Sequence, residues 1–309
     1  MNEQIVRAFA PATVANLATG LDVLGLAIDG PGDVVTARRV PGTGVRITAV
    51  TGDGGHLPTD VDRNTAGIAA TATLCRAGVE AGVALTLEKG LPLGSGLGGS
   101  AASAAAAAFA VNRLVGSPLR KGQLVEPCLE AEAVVSGCHA DNVAPSLLGG
   151  LILVRSLNPL DLIRLPIPEG LAMAVVSPEF EIETRAAREV LPDQVPLSAM
   201  IQNTANIAGL VAACFSGDVS LLGRCIADDV VTPARTALIP GCDEVIRAAL
   251  DHGALGSSIS GSGPAVFALC RSRRSAREVA EAMKRAFEEA GLQSKAIVSP
   301  ADCPGVRER

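Results

Sequence analysis

The stretch Pro92-Leu93-Gly94-Ser95-Gly96-Leu97-Gly98-Gly99-Ser100-Ala101-Ala102 sets four glycines and two serines directly before an alanine-rich run that ends at Ala110. Glycine lets backbone N–H groups turn inward and lets a ligand come close, and the first turn of a helix adds orphan N–H donors and the positive end of its dipole. The chemistry this suits is recognition of a polyphosphate. Gly94-x-Gly96-x-x-Gly99 also fits the dinucleotide fingerprint, so the spacing alone leaves NAD and ATP open. A dinucleotide loop wants an acidic residue about 20 positions further on to hold the ribose. Residues 115–120 hold none, and the first acid is Glu126. No Gly-Lys-Ser/Thr ending follows the glycines, which excludes an ordinary P-loop. The bland alternative is a glycine-rich turn that only starts a packing helix.

Other polar residues could do chemistry beside such a loop. Asp22 can pair with an ammonium group and Asn16 can hydrogen-bond neutral polar groups, although both are also common turn formers. The run Ser257-Ser258-Ile259-Ser260-Gly261-Ser262-Gly263-Pro264 reads in isolation as a tight glycine turn feeding a strand. The chain has three histidines, His56, His139 and His252, too few and too scattered for a histidine metal site. A substrate carboxylate would be met best by the planar fork of an arginine.

The elements that must position these residues are mixed. Strands are expected at 5–9, 34–37, 45–48, 83–87, 151–155, 171–176, 265–270 and 294–298, where short apolar runs lie between Gly and Pro turns. Helices are expected at 65–78, with Asn64 as N-cap and Ile68, Ala72 and Cys75 on its apolar face, and from the glycine loop to about Val115. A helical stretch at 118–136 contains Pro127, which should kink or divide it. Further helices are expected at 184–191, 197–215, 219–229, 242–252 and 275–290. A boundary near 155–168 divides the chain into 1–160 and 161–309, consistent with a length of 309 residues.

Composition narrows the classes. Hydrophobic residues make up 48% but aromatics 2%, with no Trp or Tyr, so the core is Ala, Val, Leu and Ile. Few stacking platforms and a net charge of −6 argue against a nucleic-acid partner. No signal core is visible in residues 1–20, nor a run near the ~18 apolar residues of a membrane span, so a cytoplasmic protein without a membrane partner is expected. Eight cysteines without a C-x-x-C pair are read as buried free thiols in a reducing compartment.

The loop resembles the Pro-x-x-x-Gly-Leu-Gly-Ser-Ser-Ala signature of the GHMP kinases, with Gly99 where that signature usually has its first serine. Ala10-Pro11-Ala12-Thr13-Val14-Ala15-Asn16, continuing to Gly20-x-Asp22-x-Leu24-Gly25, is similar to the first motif of the family in the form that homoserine kinases carry. The 257–269 segment resembles the third motif. His139-x-Asp141-Asn142-Val143-Ala144-Pro145 followed by Gly149-Gly150 is similar to a stretch of homoserine kinases, and so are Thr184-x-x-x-Arg188 and Pro233-Ala234-Arg235. Three ordered motifs spread over most of the chain are far harder to obtain by chance than one.

The resemblance implies an α+β fold with an N-terminal half like ribosomal protein S5 domain 2 and a ferredoxin-like C-terminal half. It implies transfer of the ATP γ-phosphoryl group to the side-chain hydroxyl of L-homoserine. ATP would lie along residues 92–102, with Asn64 near the adenine. Mg2+ would be held by Ser100 and Glu132, with Glu130 competing for the carboxylate's place. The substrate would meet Asn16, Asp22, His139, Asn142, Thr184, Arg188, Arg235 and Gly261. Asn142 would orient the reacting hydroxyl, with Asp141 as a rival general base. A homodimer is left open. The rival readings are a mevalonate-type kinase, a non-catalytic ATP-binding protein of the same fold and, third, a dehydrogenase.

Overall fold

The computed structural model describes residues 4–135 and 137–309. Residues 1–3 and Ser136, which anchors the register of the expected Glu132 ligand, lie outside them. In chain order the elements are β1 (Ile5–Ala15), β2 (Leu24–Val40), β3 (Gly44–Thr51), α1 (Thr65–Ala77), β4 (Gly82–Glu88) and α2 (Gly99–Leu114). Then come α3 (Val125–Val135), α4 (Ala140–Leu148), β5 (Leu151–Leu157), β6 (Leu160–Leu165), β7 (Ala172–Pro178), α5 (Thr184–Glu189) and α6 (Leu197–Ser216). The chain continues through α7 (Val219–Arg224), α8 (Val231–Thr236), α9 (Cys242–Asp251), β8 (Gly256–Ile259) and β9 (Val266–Cys270). It ends with α10 (Arg273–Glu289), β10 (Ser294–Pro300) and β11 (Arg307–Glu308).

Two sheets organise them. The first runs β11-β1-β2-β4-β3, with β5 on the start of β2 and β6 beyond it. Among the described residues only β3 and β4 are parallel, as expected for strands joined through a crossover helix, here α1. The second runs β10-β7-β9-β8 and is antiparallel throughout. The first sheet draws its strands from 5–165 and 307–308, so the expected division after residue 160 falls where β6 begins.

The interior explains why β7 and β9 read as unbroken apolar runs. In β7, Ala172, Ala174 and Val176 face α9 and α10, while Met173 and Val175 join the core of the first sheet. In β9, Val266, Ala268 and Cys270 take the first role and Phe267 and Leu269 the second. Both faces are buried, so alternation disappears. Helix α2 is enclosed in the same way, and eight alanines among its buried residues let α1, α3, α4 and the first sheet approach closely.

Several elements differ from expectation. Of the expected face of α1, Ala72 is buried with Ala66, Ala69, Ala70, Thr73 and Leu74, but Ile68 is half-buried and Cys75 is exposed. Tertiary packing, rather than the apolar count, chose the face. Six cysteines are buried and free, but Cys75 and Cys138 are exposed. Pro127 does not kink a helix, because a 3-10 turn at Lys121–Leu124 precedes α3 and leaves the proline in its first turn, where no N–H is needed. The expected 219–229 helix stops at Arg224. Helix α4 holds Pro145, a residue that argues against a helix; the Asp141 carbonyl that it leaves unpaired within the helix lies against Gly25, where a Cβ would have no room.

Helix α6 is long and apolar enough, by length and composition, to cross a membrane, with a mean hydropathy of 1.2, and is mostly not buried in the protein. Two of its side-chain amides are tied to the loop between α7 and α8, Asn203 to Asp228 and Asn206 to the Ala227 carbonyl.

Candidate active site

One cavity of about 260 Å³ lies where the two sheets meet, bounded by the 92–98 loop, the β1–β2 turn, α4, α5 and α8. The loop is held from behind. The carbonyls of Gly94, Ser95, Gly96 and Leu97 accept hydrogen bonds from Ile182 N (3.2 Å), Ala265 N (3.2 Å), Ser260 Oγ (2.7 Å) and Thr13 N (3.1 Å). In a planar trans peptide the N–H points opposite to the carbonyl. The N–H groups of residues 95–98 therefore turn away from these partners, the arrangement an anion needs. Glycine is required for it: Gly96 has φ +75, and a Cβ there would stand 2.6 Å from the Ser260 carbonyl and 2.7 Å from that of Gly263. Gly98, the N-cap of α2 at φ +69, leaves no room for a Cβ beside Thr13 Oγ1 and Asn142 Oδ1.

The opposite wall carries paired charges. The β1–β2 connection turns through positive φ at Asn16, Leu17, Ala18 and Asp22. That turn aims Asp22 into the cavity, and the Asn16 side chain supports it by accepting from Asp22 N (3.1 Å) and donating to the Gly261 carbonyl (3.3 Å). Arg188, near the end of α5, grips Asp22 with two parallel bonds of 3.0 and 2.9 Å. The hydrogen bond to Asp22 holds the Arg188 pKa above its ordinary value. His139 Nε2 lies 3.0 Å from Arg188 Nη2 and Nδ1 lies 3.4 Å from Asp22 Oδ1. Arg188 can only donate, so Nε2 accepts and the ring proton sits on Nδ1. Burial lowers the His139 pKa, which favours this neutral ring. Arg235 is 3% exposed and donates to the carbonyls of Ala187 (3.0 Å) and Gly261 (2.7 Å). Burial, with Arg188 nearby, lowers its pKa.

Two further acids, Glu132 and Asp141, line the cavity with Asp22. Glu132, on α3, is buried and lines the cavity. Glu130 lies on the outer face of the same helix, paired with Arg76 at 2.9 Å. Asp141, in the first turn of α4, is pushed up to about 7 by burial and then by the charges of Asp22 and Glu132. Next to it Asn142 Oδ1 accepts from Thr13 Oγ1 at 2.7 Å. Ser100 and Glu132 offer hard oxygen donors to one cavity, and magnesium takes few protein oxygens, completing its shell with phosphate and water. Among the described residues no group of three or more His, Cys, Asp or Glu could hold a metal alone. The donor set suits an ion that arrives with a nucleotide.

Residues 64–150 match the GHMP kinases N terminal domain, and residues 210–289 match GHMP kinases C terminal. A homoserine kinase of Chlorobaculum tepidum is 47% identical over 315 residues, covering 98% of this chain and 97% of that protein. The chain belongs to the GHMP kinase family. A homoserine kinase of Arabidopsis thaliana is also 47% identical, over 98% of this chain and 84% of its own. The crystal structure of homoserine kinase from Cytophaga hutchinsonii superposes with a TM-score of 0.97 at 45% identity, covering 100% of this chain and 98% of that one.

In this GHMP kinase the expected substrate residues Asn16, Asp22, His139, Asn142, Thr184, Arg188, Arg235 and Gly261 all line the one cavity. So do Ser100, Glu132, Asn64 and the loop residues 92–96, 98 and 99, whereas Leu97, Ala101 and Ala102 point into the core. Asn64 caps α1: its Oδ1 accepts from Ala66 N (3.0 Å) and its Nδ2 donates to the Pro58 carbonyl (2.8 Å). Sequence reasoning missed Arg63, Thr65, Lys89, Ser103 and Ser262 on the wall. A lysine placed between a strand and the glycine loop was the one local signal available, and it concerns Lys89.

Proposed function

We propose that this chain is a homoserine kinase, transferring the γ-phosphoryl group of ATP to the side-chain hydroxyl of L-homoserine to give O-phospho-L-homoserine, a step in threonine biosynthesis in the cytoplasm. The observation that carries the reading is the charged pair Asp22 and Arg188, set across one cavity from the phosphate loop. Its two charges complement the ammonium and carboxylate of an amino acid, which would exchange partners with them. Mevalonate, which has a carboxylate and no ammonium, would leave Asp22 unmatched.

Residues 95–98 would bind phosphate oxygens through backbone N–H groups, reinforced by the α2 dipole. Arg188 and Arg235 would hold the substrate carboxylate, Asp22 its ammonium, and Asn16 and His139 would keep Asp22 and Arg188 in place. Asn142 would orient the hydroxyl toward the γ-phosphorus; an amide cannot take the proton, which would pass to phosphate or water. A loose phosphoryl-transfer transition state needs little early deprotonation, so positioning supplies most of the catalysis. Ser100 and Glu132 would hold Mg2+, which neutralises charge on the transferring group. A coupled ADP-release assay across homoserine, mevalonate, galactose and shikimate tests the reading. Release above the ATP-only background is expected with homoserine, and its absence there overturns the proposal.

A further inference from the structure

Behind the phosphate loop lies a polar cluster that no motif contains. Asp33, in the middle of β2, is fully buried; Lys89, the residue after β4, has a side chain 2% exposed; Ser103 is in the second turn of α2. Asp33 Oδ1 accepts from the N–H groups of Gly90 (3.0 Å) and Leu91 (3.2 Å), where the chain runs into the loop. Asp33 Oδ2 accepts from Lys89 Nζ and from Ser103 Oγ (2.6 Å). Lys89 Nζ also donates to Ser103 Oγ and to the carbonyl of Gly99, each at 2.9 Å, where the chain leaves the loop for α2.

We propose that Asp33, Lys89 and Ser103 form a strut that fixes both ends of the phosphate loop to one carboxylate, and so act as positioning residues for the nucleotide. The residues between the two tethered ends carry the N–H groups that an anion would meet, and a buried ion pair resists rearrangement because separating its partners strands a charge away from water. An ammonium has three donors. Lys89 directs all three to protein acceptors, so it acts through the loop rather than as a ligand of phosphate. The strut explains why a lysine lines the cavity beside an aspartate that does not.

The inference rests on the proposed ATP-dependent activity, and wild-type enzyme assayed in parallel separates the two: an inactive wild type overturns the function, while an active wild type with unmoved variants overturns the strut alone. The variants are Lys89→Met, Asp33→Asn and Ser103→Ala, with KM measured for each substrate and amide hydrogen exchange followed across the chain. Lys89→Met should raise the ATP KM about tenfold or more, and Ser103→Ala about threefold, with the homoserine KM within about twofold. Exchange should quicken in 90–103 and not in the second sheet. Asp33→Asn decides between strut and ligand. A strut weakens with it, raising the ATP KM; a phosphate-binding lysine would be released by it, leaving the ATP KM unchanged or lower, and that result overturns the proposal. If Lys89→Met does not fold, Asp33→Asn and Ser103→Ala carry the test, and an ATP KM within twofold of wild type in both refutes it.

Discussion

Replacing either arginine of the cavity by alanine should weaken homoserine binding, but only one replacement should also loosen the fold. Arg188 and Asp22 have side chains 38% and 31% exposed. Water screens such a pair, and its contribution to stability is about 0–1 kcal/mol. Arg188→Ala should therefore shift Tm by less than about 3 °C. Its loss from the substrate clamp is another matter, since hydrogen bonds to charged groups are worth about 1.5 to 3 kcal/mol, which raises the homoserine KM roughly 10- to 150-fold. Arg235 is 3% exposed and serves two carbonyls, the buried one of Ala187 and the part-buried one of Gly261. Arg235→Ala strands the Ala187 carbonyl and empties a buried site, while the Gly261 carbonyl keeps Asn16. A loss of about 2 to 4 kcal/mol of stability should accompany its rise in homoserine KM. Steady-state kinetics and thermal unfolding at fixed pH check both variants, and the ATP KM should move less than about twofold for Arg188→Ala. A homoserine KM within twofold of wild type in Arg188→Ala would refute the clamp, and equal Tm losses in the two variants would refute the burial argument.

Ser100→Ala and Glu132→Gln should each depress kcat far more than the homoserine KM, because they act on charge that develops during transfer; Glu130→Gln should remain near wild type, and the reverse ranking of the glutamates would reassign the carboxylate. Asn142→Ala should lower kcat more than Asp141→Asn in folded enzyme, whereas a collapse of turnover in Asp141→Asn with loss of the acidic limb of the pH profile would make Asp141 the base. The Asp141 carboxyl stands at about 7 in the folded chain against an ordinary 3.8, so the folded state binds more protons between these values and its stability falls as pH rises through about 7. The Tm of Asp141→Asn should accordingly gain on wild type from about pH 5 to about pH 8, and a constant gap would show that burial does not hold the proton.

How much of this was legible depended on whether a residue's chemistry is local in the chain. The glycine loop was, because cradle and helix start are consecutive. The choice between Glu130 and Glu132 was not. The two sit two residues apart on α3, and only the packing of that helix turns Glu132 inward while Arg76 gathers Glu126 and Glu130 on the outside. Helix α4 was hidden by Pro145, and β6 by the charges of Asp161 and Arg164 that interrupt its apolar run. Elements buried on both sides, α2, β7 and β9, were legible as unbroken apolar runs rather than through amphipathic alternation.

The Asp33–Lys89–Ser103 cluster marks the limit more sharply. Its members are separated by 56 and 14 residues, and each alone reads as ordinary: an aspartate among valines, a lysine after a strand, a serine in an alanine helix. Asn64 makes the complementary point. Its sequence position correctly gives the N-cap of α1, but that role engages both ends of its amide, so any contact with an adenine at this wall must share atoms already bonded to Ala66 and Pro58. Residue type identified which side chains could do chemistry. Which of them are free to do it is decided by the backbone groups that reach them first, and those come from distant parts of the chain.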